Sequence, residues 1–140
     1  VLSLGDSGAN SPPIVEKEHF KVYRWIEDRF SYLKACDLVL SRAGHGTISQ
    51  AITYGKPLII VPTPNHTEQM QNARRVEQMG LAVVLEQNQI TPRRLHSTVE
   101  QVVEDPGFTG RAQGAREHLA GYDVISKVFD AIDRYVPGST

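Results

Sequence analysis

The stretch Asp37-Leu-Val-Leu-Ser-Arg-Ala-Gly-His-Gly-Thr47 constrains this chain most, because a short apolar strand runs straight into a glycine-containing turn and then into a helix. Ile48, Ala51 and Ile52 follow at helical spacing and supply the face that docks on a sheet. Gly55-Lys-Pro57 ends that helix and opens a second apolar run, Leu58-Ile-Ile-Val61. Continuous rather than alternating apolar strands suit cover on both faces, hence a parallel sheet, whose neighbouring strands need a crossover such as this helix. The chain therefore reads as α/β, a Rossmann-like parallel sheet flanked by helices.

The remaining elements keep the same rhythm. Strands are expected at Val1 to Leu4, Phe20 to Ile26, Asp37 to Ser41, Pro57 to Pro62 and Leu81 to Leu85. Helix-sized stretches run from Arg29 to Ala35, Gly46 to Tyr54, Thr67 to Met79 and Thr91 to Glu104. In the third of these, Met70, Ala73, Val76 and Met79 line one face before Gly80 stops the helix. Thr91-Pro92 is a start signal, with threonine as N-cap and proline in the first turn. The tail from Thr109 to Val136 is helical by pattern, with Val124, Val128, Ile132 and Val136 on one face and Pro137-Gly138 after it. Phe108-Thr-Gly110 and Gly121-Tyr122 read as turns beside that helix.

Residues 1–140 are expected to form one domain, since a chain of 140 residues with 40% hydrophobic side chains holds one core. Its beginning is unusual. Gly5 to Pro13 is a glycine, serine and proline loop, and no crossover helix is evident between the first run and Phe20. The expectation is that upstream strands and a partner domain lie outside the sequence.

Chemistry concentrates at the turn after Ser41. Gly44 and Gly46 flank His45 and let a ligand approach the backbone, while the free N–H groups of a helix start form an anion site suited to a phosphate or diphosphate. A Gly-X-Gly after a strand is also a common tight turn. The context adds weight, because the loop Pro62-Thr-Pro-Asn-His-Thr-Glu-Gln69 leaves the next strand at the same sheet edge, with Asn72 following.

Other chemistries find little support. Net charge is −1 with scattered Lys and Arg, so no footprint for nucleic acid exists, and Arg93-Arg94, Arg111 and Arg116 read as solvated helix charges. Five histidines, at 19, 45, 66, 96 and 118, lack metal-ligand spacing, and no metal or cofactor is expected. Cys36 is the only cysteine; it reads as a buried small apolar position and points to a reducing, cytoplasmic setting. No apolar run reaches the roughly 20 residues of a membrane span. No Gly-X-Ser-X-Gly elbow is present.

The run Ser41-Arg-Ala-Gly-His-Gly-Thr-Ile-Ser-Gln50, with Gly55-Lys-Pro57, Val61-Pro62, Glu68-Gln69 and Asn72-Ala73, resembles the donor-binding signature shared by UDP-glycosyltransferases and MurG-like N-acetylglucosaminyltransferases. Trp25 is similar to the tryptophan that opens that signature, though a core aromatic at a strand end would look the same. The resemblance covers roughly the middle third of the chain. It implies the C-terminal, donor-binding half of a two-domain GT-B glycosyltransferase, which moves a hexose or N-acetylhexosamine from a UDP-sugar to an acceptor hydroxyl.

Carried over, it implies that Trp25 and Ile26 seat the uracil and that Gly44, His45, Gly46 and Thr47 hold the diphosphate. Gln50 stands at the glutamate that grips the ribose hydroxyls, Glu68 and Gln69 at the pair that reads the sugar, and Asn72 at an asparagine that steadies the site. Arg42 stands where many members have histidine, and its charge is expected near the phosphates. Two departures bear on the base and ribose: Gln50 has an amide in place of the carboxylate, and Glu27 and Asp28 replace the proline and glutamine usual after the tryptophan.

The catalytic base is expected from the missing domain, so neither His45 nor His66 is assigned that role. An acceptor-binding domain or subunit is the implied partner, and it could bring the protein to a membrane. Two alternatives stand beside this reading: the non-catalytic donor-binding subunit of a split glycosyltransferase, and a sugar-nucleotide epimerase-like domain.

Overall fold

Leu58, Ile59 and Ile60 are fully buried, and alternation of side chains along a strand sends them to two separate cores. Leu58 and Ile60 join Ala43, Ile48, Ala51, Ala73, Val76 and Ala82 on one side of a sheet; Ile59 packs with Val61, Leu85, Val102 and Phe108 on the other. This is the two-faced burial that a continuous apolar strand anticipates, and each such side chain contributes about 1.5–3 kcal/mol. The computed structural model describes residues 1–6 and 13–135, which divide into two compact units at Cys36 and Asp37.

In the first unit, β1 (Leu2–Ser3), β2 (Val15–Lys17) and β3 (Phe20–Tyr23) form a sheet in the order β1-β3-β2, followed by α1 (Arg29–Ala35). β1 runs parallel to β3, while β2 pairs antiparallel with it. The sequence pattern missed β2, because Val-Glu-Lys carries only one apolar residue and pairs through the tight turn at Glu18-His19. The strand expected to reach Ile26 ends at Tyr23, which leaves Trp25 and Ile26 in the connection to α1. Asp28 caps α1 by accepting from the Ser31 N–H at 3.2 Å. Cys36 is the C-cap of α1 and is half-buried rather than a core position.

The second unit carries the predicted architecture. β4 (Val39–Ser41), β5 (Leu58–Ile60) and β6 (Ala82–Val84) form a parallel sheet in the order β4-β5-β6, with Val39 opposite Leu58 and Leu58 opposite Ala82. α2 (His45–Thr53) and α3 (Thr67–Gln78) are the crossovers. α4 (Pro92–Glu104) begins as expected, with Thr91 Oγ1 accepting from the Arg94 N–H at 3.2 Å.

The tail differs from its pattern. It is two helices, α5 (Pro106–Ala120) and α6 (Val124–Tyr135), broken at Gly121, after which Asp123 accepts from the Ser126 N–H at 3.0 Å. Phe108-Thr-Gly110 lies inside α5, because Asp105 caps a helix that Pro106 opens and burial of Phe108 anchors it. Val128 and Ile132 are exposed on α6; Val136 and the Pro137-Gly138 stop lie outside the described residues.

α5 also closes the ends of the two crossover helices. Arg111 Nε donates to the Gly80 carbonyl at 2.7 Å and Gln113 Nε2 to the Gly55 carbonyl at 3.3 Å. Both glycines have positive φ, 69° and 64°, which is the left-handed conformation that ends a helix.

Candidate functional site

Parallel strands deliver their following loops to one edge, so the segments after β4, β5 and β6 meet at the carboxyl end of the sheet. The segment after β4 is Arg42 to Gly44, leading into α2. The first intrahelical bond of α2 is from Ile48 N–H to the Gly44 carbonyl at 3.1 Å, so the N–H groups of His45, Gly46 and Thr47 precede it. No side chain caps this end, and no acidic residue sits in its first turn. The side chains of Asp28, His66, Thr91 and Asp105 cap α1, α3, α4 and α5.

Neither glycine of this turn is there for its own conformation. Gly44 has φ of −71°, which any residue adopts, and a Cβ added at Gly44 or Gly46 would meet nothing within 4 Å. The space beside both glycines is open, and no side chain caps the backbone donors that follow. Such an arrangement can receive an anion, with the helix dipole favouring negative charge.

The loop after β5 is held by its own polar groups. Gln69 Oε1 accepts from the Thr63 N–H at 2.9 Å, and the Gln69 N–H donates to His66 Nδ1 at 3.4 Å. His66 is thus the N-cap of α3, which sequence reasoning did not anticipate, since histidine is not a usual capping residue. Asn65 takes a left-handed φ of 61° in the same turn. Glu68 is exposed in the first turn of α3, where a carboxylate also complements the helix dipole.

Asn72 Nδ2 donates to the Ala43 carbonyl at 3.2 Å and links α3 to the turn after β4. Arg42 Nη1 donates to the Val61 carbonyl at 3.2 Å and to Gln87 Oε1 at 2.7 Å, so its guanidinium lies across all three strand ends. Gln87, in the short 3-10 turn after β6, carried no signal in the sequence beyond polarity. Gln50 is half-buried one turn into α2, and no described residue bonds its side-chain amide.

The second unit thus gathers Arg42, Gly44, His45, Gly46, Thr47, Gln50, Glu68, Gln69 and Asn72 on the segments leading from the strand ends. Trp25 and Ile26 belong to the first unit, where both are half-buried. Among the described residues no cluster of His, Cys, Asp or Glu could hold a metal ion, and no helix is long and apolar enough to cross a membrane.

A parallel three-stranded sheet between two helical layers, with an uncapped helix start at its carboxyl edge, defines a Rossmann-like domain of the class that binds anionic ligands at that edge. A family model, the glycosyltransferase family 28 C-terminal domain, matches residues 4–128, and the chain belongs to that family. The fold is that of the C-terminal domain of a GT-B glycosyltransferase.

Among its relatives is the UDP-N-acetylglucosamine--N-acetylmuramyl-(pentapeptide) pyrophosphoryl-undecaprenol N-acetylglucosamine transferase of Caldicellulosiruptor saccharolyticus. It is 30% identical over 147 residues, covering 97% of this chain and 39% of that protein. Among solved structures, the glycotransferase of kitacinnamycin matches with a TM-score of 0.72 at 28% identity, covering 83% of this chain and 29% of that one. The glycosyltransferase VinC, solved in complex with dTDP, matches with a TM-score of 0.68 at 25% identity, covering 81% and 28%. The chain spans about a third of the length of the curated relatives it matches.

Proposed function

We propose that this chain is the donor-binding domain of a UDP-sugar-dependent transferase that passes a hexose or N-acetylhexosamine to an acceptor hydroxyl. The observation that carries the reading is the start of α2 at the carboxyl edge of the sheet, where three backbone N–H groups have no side-chain cap and the space beside Gly44 and Gly46 is open. In transfer, the bond from the sugar anomeric carbon to the diphosphate breaks and negative charge grows on the leaving diphosphate. Donors already fixed at His45, Gly46 and Thr47, with the α2 dipole behind them, stabilise that charge without reorganising. No divalent ion is required for this part of the step.

On the same reading Gln50 meets the ribose and Glu68 with Gln69 meets the sugar, while the assignment of Trp25 and Ile26 to the base rests on the resemblance of the motif. The acceptor site and the catalytic base belong to a domain or subunit outside this sequence, so this chain alone binds donor without turning it over. The reaction is assigned to the cytoplasm, with any membrane association supplied by the rest of the protein. Membership of a glycosyltransferase family favours this reading over the epimerase-like alternative.

A thymidine diphosphate donor is the second reading. It is favoured by the likeness to VinC with dTDP and by the amide at Gln50, which makes a weaker demand for two ribose hydroxyls than a carboxylate would. Calorimetry with UDP, dTDP, GDP and ADP decides between them. Preference for UDP supports the proposal, preference for dTDP supports the second reading, and equal or absent binding of all four overturns both.

A further inference from the structure

Arg42 is exposed, yet its guanidinium is not loose: one nitrogen, Nη1, donates both to the Val61 carbonyl and to Gln87 Oε1. Both partners are neutral. Glu86, next to Gln87 in sequence, accepts from the Gln89 amide through Oε2 at 3.3 Å, and no carboxylate among the described residues lies within 4 Å of Arg42. A guanidinium is cationic at any working pH and carries five donors, so Nε and Nη2 keep theirs for other acceptors. The cation is therefore held in place by neutral groups only, across the ends of β4, β5 and β6.

We propose that Gln87 is a positioning residue for donor binding, holding the Arg42 guanidinium at the strand ends without cancelling its charge, so that the full cation serves the donor diphosphate. The inference deepens the functional reading above and rests on it. A glutamate at the same position would hold Arg42 at least as firmly but would neutralise it; an apolar residue of similar length would leave the charge and remove the hold. Shape and charge can thus be varied separately at one side chain.

The test is titration of the full chain with uridine and with UDP, at low and at high salt, in the parent, Gln87→Glu and Gln87→Met. Gln87→Glu is expected to weaken UDP roughly three- to tenfold while uridine binds as before, with the loss shrinking as salt rises. Gln87→Met should weaken UDP less, and the salt dependence of its UDP binding should match the parent's. Equal UDP affinity in Gln87→Glu and the parent overturns the inference, and so does a proportional loss for uridine and UDP, which would mark Gln87 as a loop prop only. A parent that binds uridine and UDP equally overturns the diphosphate reading itself, a result distinguishable from the other two.

Discussion

Asn72 on α3 donates its side-chain amide to the main-chain carbonyl of Ala43 at 3.2 Å, so the helix after β5 steadies the turn after β4. Ala43 is fully buried, and loss of this donor leaves its carbonyl without a partner among the described residues. Asn72→Ala is expected to cost about 1–2 kcal/mol of stability, and Asn72→Asp more, because a carboxylate meets the carbonyl oxygen with like charge. Urea unfolding midpoints of the three proteins check this. An unchanged midpoint in Asn72→Ala would show that the bond contributes nothing.

Gln69 has one oxygen and it is already engaged. With Oε1 accepting from the Thr63 N–H, the Nε2 donors are the unengaged part of the Gln69 amide, while an ionised Glu68 only accepts. Gln69→Glu keeps the loop's acceptor and removes the donor. It should weaken a UDP-sugar by about 1–2 kcal/mol and leave UDP unchanged, whereas Gln69→Ala should disturb both ligands through the loop. Competitive titration of the two ligands in each variant distinguishes sugar reading from loop support.

Gln50 offers the ribose an amide where a charged acceptor could stand. Gln50→Glu should tighten UDP by about 1 kcal/mol, the margin between a charged and a neutral hydrogen bond. The gain should be smaller for dTDP, which has one sugar hydroxyl fewer. Weaker UDP binding in Gln50→Glu would mean that this turn of α2 does not meet the ribose.

Asp28 sets a pH dependence for α1. Hydrogen bonds from the Ser31 hydroxyl and, second, from its main-chain N–H hold the Asp28 carboxyl below the ordinary aspartate range. A folded-state value below the unfolded one means that the cap's contribution is present above the unfolded value and is lost as pH falls through the folded one. Exchange of the Ser31 amide should therefore show a gain in opening as pH drops from about 5 to about 2, and Asp28→Asn, which caps without titrating, should lack that step. Identical profiles would remove Asp28 as its source.

Much of this protein is written in short-range pattern. Leu58 to Val61 announce a strand buried on both faces, Thr91-Pro92 announces α4, and Ser41 to Thr47 announce the strand, turn and helix of the site. Each depends on periodicity, capping or glycine placement within a few residues, and such preferences act locally. The break at Gly121 departs from the single tail helix that the pattern implies, because α5 and α6 carry a helical pattern across it; the Asp123 cap starts the second helix.

What tertiary structure alone decided is which distant side chains act together. Hydrogen bonds from Arg42 to Gln87, from Asn72 to Ala43 and from Arg111 to Gly80 join residues 45, 29 and 31 positions apart, and no local preference encodes such pairs. The partners become neighbours only when parallel strands bring their ends to one edge. β2 has the same origin: Val15–Lys17 has little strand character of its own and is a strand because β3 offers its backbone hydrogen bonds. The sequence by itself determined the α/β class and the glycine turn that opens α2. The sheet register decided which side chains stand beside that turn, because pairing energy is collected only between segments far apart in the chain.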